Sequence, residues 1–252
     1  MLFGDIAKKI LIGGTMCEND EKNIFSFIEK MNPGLVVFDF DGTLVYTEDL
    51  HWKYYHDVLA EDYGIDYPFS DHHLATGKHS NDIWKMLGKR YDLDFSESTD
   101  VYPNVVKFVS GMLHDLDRPC FSYVNDVVAW CVEHKVPLAV VSANSCALIS
   151  ERIGAWDFDN AFSYICSVAP SGLNKVSVVS GLADMHRAKR VLVFEDSVRK
   201  SYAHKNVGFS VCAIKHPLSA EAFENAIGSH DFSIDVRKEC QKTVAAMPVK
   251  DL

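Results

Sequence analysis

The 252-residue sequence has no apolar run approaching the roughly 20 residues that a membrane-crossing helix needs; stretches such as Val136 to Val141 and Val191 to Phe194 are far shorter. No membrane association is expected. The first residues place Asp5 ahead of Lys8-Lys9 and lack a basic region leading into a long apolar segment, so no secretion signal is read and a cytoplasmic setting is expected. Paired cysteines are also missing. The seven cysteines (17, 120, 131, 146, 166, 212 and 240) include no Cys-x-x-Cys and have no histidines at zinc-finger spacing, which leaves reduced and mostly buried thiols. There is no excess of basic charge: the net charge of −10 argues against a nucleic-acid partner, whose binding is driven by clustered Lys and Arg. A phosphorylated small molecule stays open, because one divalent ion and one lysine reverse the field of a pocket locally. Internal repeats and low-complexity tracts are absent as well. What remains is 48% hydrophobic and 24% charged, enough to bury a substantial core.

From residue 35 onward, short β-branched runs alternate with segments of helical periodicity, the pattern of parallel strands covered by helices. The expected strands are Leu35–Phe38, Leu138–Val141, Tyr164–Cys166, Val191–Phe194 and Ser210–Ile214, apolar on both faces as central strands are. Between the first two lies a gap far too long for one crossover. It carries helical faces built from Trp52, Tyr55 and Leu59, from Ile83, Trp84 and Leu87, and from Val105, Val109 and Leu113. The expected class is therefore α/β, a Rossmann-like parallel sheet sandwiched by helices, with an inserted α-helical cap. The core is assigned to 1–44 and 121–252 and the cap to 45–120; residues 1–34 form a helical extension with Ile24, Phe27, Ile28 and Met31 on its apolar face. A further helix is expected near Val236–Val244.

The chemistry begins at Asp39-Phe40-Asp41-Gly42-Thr43-Leu44, directly after the first strand. In an extended segment residues i and i+2 point the same way, so Asp39 and Asp41 face one pocket while Phe40 faces the core. Two carboxylates so close repel unless a cation or a shared proton compensates them. A divalent metal and a division of roles between nucleophile and acid/base supply that compensation; the bland alternative is a solvated strand end. After the second strand, Ser142-Ala143-Asn144 offers a hydroxyl and backbone amides for phosphate oxygens, though a serine there is also an ordinary helix cap. Lys175 follows the third strand, either as a compact positive charge or as a surface lysine. Glu195-Asp196 ends the fourth and suits a hard cation such as Mg²⁺, the alternative being a solvated turn or cap.

In this order the four motifs resemble those of the haloacid dehalogenase superfamily of phosphohydrolases, over about residues 35–215. The insert is similar to the helical cap of the subgroup containing β-phosphoglucomutase and many small-metabolite phosphatases. The resemblance implies that Asp39 attacks phosphorus to form an aspartyl-phosphate and that Asp41 protonates the leaving oxygen and then activates water. It implies Mg²⁺ held by the Asp39 carboxylate, the Phe40 carbonyl, Asp196 and Glu195, with Ser142, the Ala143 amide and Lys175 on the phosphoryl oxygens. Two departures are visible: Val176-Ser177-Val178 follows Lys175 where relatives usually place prolines, and Tyr123-Val124-Asn125 replaces a proline-glycine turn.

The expected activity is hydrolysis of a small phosphorylated metabolite, a sugar or polyol phosphate, with a β-phosphoglucomutase-like phosphomutase as the alternative and a catalytically silent binding protein as a third reading. Thr47 and His51 fall where the mutase has hinge and acid-base-assisting residues. Around Thr76-Gly77-Lys78-His79-Ser80, Ser80 falls where the mutase has a phosphate-gripping arginine, with Lys78 or His79 as partial substitutes. A monomer is the default assembly.

Overall fold

The computed structural model describes residues 18–78, 80–95, 101–168 and 172–245. Helix α1 (Glu18–Met31) buries Ile24 and Ile28 completely and stacks Phe27 on Phe232, ring centroids 4.9 Å apart. It stops where Asn32 turns left-handed at φ 46° and Pro33-Gly34 follows.

Six parallel strands follow: β1 (Leu35–Phe38), β2 (Leu138–Ser142), β3 (Tyr164–Ser167), β4 (Val191–Glu195), β5 (Ser210–Lys215) and β6 (Phe232–Asp235). They lie in the order β3-β2-β1-β4-β5-β6. Strand β1 shows why both faces had to be apolar. Leu35 and Val37 join one buried cluster with Val141, Val179, Leu182 and Val193, whereas Val36 and Phe38 join the other with Leu192 and Phe194. Phe38 is fully buried, stacked on Phe194 at 4.5 Å and edge-on to Phe162 at 6.1 Å. Truncating so enclosed a ring to alanine costs about 3–5 kcal/mol. Five of these strands match the sequence reading to within a residue; β6 was not anticipated.

On the core side the covering helices are α5 (Ser122–Glu133), α6 (Cys146–Ala155), α7 (Lys175–His186), α8 (Val198–Asn206), α9 (Ala220–Asn225) and α10 (Arg237–Ala245). Between β1 and α5 run α2 (Glu48–Tyr63), a 3-10 turn (Phe69–Leu74), α3 (Ser80–Tyr91) and α4 (Val101–Leu116). Aromatic contacts knit this helical segment together: Tyr55 meets Trp84 edge-on at 5.2 Å, Tyr54 meets Phe108 at 5.5 Å, and Trp52 Nε1 donates to the Tyr67 carbonyl at 2.8 Å.

The two strands of chain leading into and out of the segment are fastened to each other. Phe121 N donates to Leu44 O at 2.9 Å, and the buried Arg118 guanidinium grips both Asp49 carboxylate oxygens at 2.6 and 2.7 Å while donating to Tyr46 O at 2.8 Å. The Arg118 carbonyl in turn accepts from Arg152 Nη2 and Trp156 Nε1, each at 2.9 Å. A charge pair this enclosed fixes geometry more than it adds stability.

Candidate active site

The strand order reverses direction at β1: the chain runs outward through β2 and β3, then returns to β4 on the other side. In open parallel sheets the crevice at the carboxyl ends of the strands flanking such a reversal is where ligands bind. Asp39 sits there at the end of β1, 4% exposed, its N–H donating to Phe194 O at 3.0 Å and its Oδ1 accepting from Phe40 N at 2.7 Å. Phe40 is fully buried against Trp156. Asp41 is partly exposed; Asn144 Nδ2 donates to its Oδ2 at 3.3 Å, and His51 Nε2 lies 3.8 Å from its Oδ1. Burial alone would lower the imidazole, but the neighbouring Asp41 charge, with those of Glu48 and Asp49, outweighs this and raises the His51 pKa.

The turn after Asp41 is tight because Gly42 takes φ +68° and because Phe40 O accepts from Leu44 N at 2.8 Å and Thr43 N at 3.2 Å. That carbonyl, the expected metal donor, accepts from the turn's own N–H groups.

Ser142, 1% exposed at the end of β2, accepts from Asn144 N at 3.1 Å through its hydroxyl. Asn174 caps α7 by accepting from Val176 N at 2.9 Å, which makes Lys175 the first residue of that helix and turns its ammonium onto Asp39 Oδ2 and to 3.8 Å from Glu195 Oε2. A cavity of about 590 Å³ opens beside these groups, lined among others by Ala143, Asn174, Lys175 and Lys200.

Asp39, Glu195 and Asp196 present carboxylate oxygens within 4.8 Å of one another, all three side chains buried. Hard oxygen donors so clustered fit a divalent cation such as Mg²⁺. His216, fully buried, orients one of them. Its Nδ1 accepts from Leu218 N at 3.2 Å, so Nε2 carries the hydrogen donated to Asp196 Oδ2 at 3.2 Å. A second ammonium joins the cluster: Lys200 Nζ stands 3.0 Å from Asp39 Oδ2 and 3.5 Å from Glu195 Oε1.

These contacts set the ionisation. Burial would raise Asp39, but the Lys175 and Lys200 charges override it and hold the carboxyl well below the usual range. Asp196 is lowered despite its burial, by the His216 hydrogen bond and the Lys200 charge. Glu195 is raised, burial and the Asp39 charge outweighing the two lysines.

From the helical segment, Thr47 is buried beside the site with a hydroxyl that has no hydrogen-bond partner among the described residues. Its carbonyl accepts from His51 N at 3.0 Å in the first turn of α2, which sends the His51 ring toward Asp41. The loop after the 3-10 turn reaches the core, where Gly77 O accepts from Arg199 Nη2 at 3.5 Å. Lys78 is exposed and makes no contact with the carboxylates; His79 lies outside the described residues. Sequence reasoning missed Lys200, His216 and the Asn144 carboxamide. Only Lys200 had a signal, a lysine one helical turn beyond Asp196.

A parallel sheet covered by helices on both faces, with paired aspartates, a facing lysine and an acidic cluster at its switch point, defines a Rossmann-like α/β protein. The family model described as haloacid dehalogenase-like hydrolase matches residues 36–214, more than half of the chain, and the protein belongs to that family. Its members are generally phosphohydrolases or phosphomutases. No curated protein sequence matches significantly. Among solved structures, a CbbY mutant from Rhodobacter sphaeroides in complex with xylulose-(1,5)bisphosphate is similar at TM-score 0.63 and 18% identity, over 80% of this chain and 93% of that one. A HAD family hydrolase from Deinococcus radiodurans R1 with bound phosphate and sodium gives 0.60 and 17%, over 84% and 95%. The β-phosphoglucomutase of Clostridium difficile gives 0.62 and 13%, over 84% and 97%. At these identities the likeness establishes the fold. No helix among the described residues is long and apolar enough to cross a membrane.

Proposed function

We propose that this protein is a phosphatase that hydrolyses a small phosphorylated metabolite, a sugar or polyol phosphate, through an aspartyl-phosphate on Asp39. The observation that carries the reading is the unequal environment of the two aspartates. Asp39 is buried and held ionised by Lys175 and Lys200, as a nucleophile must be, whereas Asp41 is partly exposed between Asn144 and His51, within reach of solvent as a proton shuttle must be.

On this reading the Lys175 ammonium moves from Asp39 Oδ2 to the phosphoryl oxygens as substrate arrives, joined by the Ser142 hydroxyl and the Ala143 amide, and the freed carboxylate oxygen attacks phosphorus. The bond to the leaving oxygen breaks as Asp41 passes it the proton that the resting pair keeps on His51. Asp41, now a carboxylate, takes a proton from water; that water attacks phosphorus, releasing phosphate and regenerating Asp39. A divalent cation held by Asp39, Glu195 and Asp196 supplies neutralisation of phosphoryl charge when bound. Residues 45–120 act as a cap over the crevice, with Thr47, His51 and Lys78 assigned to its substrate side. Hydrolysis is favoured over mutase chemistry because Ser80 is a buried hydroxyl and supplies no guanidinium for a second phosphate.

The test is a screen of the purified chain with Mg²⁺ against sugar, polyol and nucleoside phosphates, following phosphate release, with Asp39→Asn beside it. Release by wild type and none by the variant is expected. Equal release, or none from wild type, counts against the reading; isomerisation of β-glucose 1-phosphate without phosphate loss would indicate a mutase.

A further inference from the structure

Lys200 is placed where a lysine is unfavourable. It is the third residue of α8, in the first helical turn, where the unpaired N–H groups and the helix dipole repel a cation. Most of its side chain is nevertheless withdrawn from solvent, 29% exposed, and its ammonium is aimed between Asp39 and Glu195. The carboxylates that attract it are the donors within 4.8 Å of one another that suit a divalent cation. We infer that Lys200 is a resident counter-cation that competes with the divalent metal for the Asp39, Glu195 and Asp196 carboxylates, so that metal enters only as the Lys200 ammonium leaves. The inference rests on the metal site assigned above.

The geometry makes the competition direct. A magnesium-sized ion lies about 2.0–2.1 Å from each oxygen it takes. The ammonium already holds Asp39 Oδ2 at 3.0 Å and Glu195 Oε1 at 3.5 Å, so an ion sharing those carboxylates would be a near neighbour of a like charge in a site screened from water. The departing side chain has somewhere to go: Lys200 lines the cavity of about 590 Å³ that also borders Ala143, Asn174 and Lys175. Four flexible methylenes make that swing inexpensive.

The experiment is Mn²⁺ binding to the full chain, followed by electron paramagnetic resonance and calorimetry, for wild type, Lys200→Gln and Lys200→Met. Removing the resident charge is expected to tighten Mn²⁺ binding at least about tenfold, and adding Asp196→Asn to either variant is expected to abolish the gain. Equal or weaker binding in the variants overturns the inference, as does a gain that survives Asp196→Asn. If neither variant folds, crystals of wild type grown with Mn²⁺ decide: an ion on Asp196 with Lys200 Nζ withdrawn from Asp39 supports the inference, and an ion there with the Lys200–Asp39 contact intact, or no ion at the carboxylates, overturns it. The phosphatase reading is judged apart. Tighter Mn²⁺ binding without phosphate release sinks that reading alone, and phosphate release with unchanged Mn²⁺ affinity sinks the Lys200 inference alone.

Discussion

Replacing Gly42 by alanine tests how closely the nucleophile turn is fitted to the acidic cluster. At φ +68° an L-residue incurs about 1–2 kcal/mol of backbone strain. The new Cβ would lie 2.2 Å from Asp196 Oδ2 and 2.9 Å from its Cγ, closer than real Cβ contacts come. Asp196 must therefore move, and it is tied to the buried His216 at 3.2 Å. Losing that charge-assisted bond adds about 1.5–3 kcal/mol. The total, about 3–5 kcal/mol, corresponds to a fall in Tm on the order of 5–20 °C for a chain of this size. Gly64, which caps α2 at φ +65° with open space around a Cβ, is the control: Gly64→Ala carries the strain alone, about 1–2 kcal/mol. Chemical denaturation of both variants, with phosphate release measured alongside, separates strain from clash. Equal losses of stability in Gly42→Ala and Gly64→Ala, with phosphate release intact in the former, would refute the reasoning.

Arg118→Ala should cost about 3–5 kcal/mol by leaving Asp49 buried without its partner, while the double variant Arg118→Met, Asp49→Leu should recover most of that loss; a double variant no better than the single, in urea melts, contradicts the desolvation argument. His51 has a raised pKa in the folded state, so the stability its pair with Asp41 contributes is fully present below the unfolded value of about 6.5 and disappears as pH rises through the folded value. The stability difference between wild type and His51→Gln, measured by denaturation, should therefore shrink as pH rises above about 6.5; a difference constant with pH would show that Asp41 does not hold the proton on His51.

The parts of the fold that were legible in the sequence are those where one residue type serves one purpose. Leu35-Val36-Val37-Phe38 had to be apolar at every position because helices cover both faces of β1, and the same holds for the first four residues of β2 and of β4. Strand β6 escaped notice because Phe232–Asp235 is an edge strand, only half-buried and carrying polar residues, which reads as a loop. At the site, the order of motifs picked out side chains that meet in space, since Glu195 ends a strand, Asp39, Lys175 and Asp196 come after one, and strand ends converge. The turn hydrogen bonds accepted by the Phe40 carbonyl are invisible in the sequence, because the demands of a turn on its backbone acceptors show only once the turn is seen. His216 lies 20 residues beyond Asp196, after β5, and nothing local marks an imidazole there as its partner. Lys200 was passed over because an adjacent-acid motif invites the thought of a metal before that of a lysine.

The central claim, that Asp39 is the nucleophile and Asp41 its proton shuttle, is tested most directly by pre-steady-state turnover of p-nitrophenyl phosphate, whose leaving group needs no proton. Asp41→Asn should release a burst of about one equivalent of nitrophenolate and then stall, because the aspartyl-phosphate forms but lacks the base that activates water. Asp39→Asn should give no burst. A burst from Asp39→Asn, or none from an Asp41→Asn protein that still binds the ester, would contradict the account.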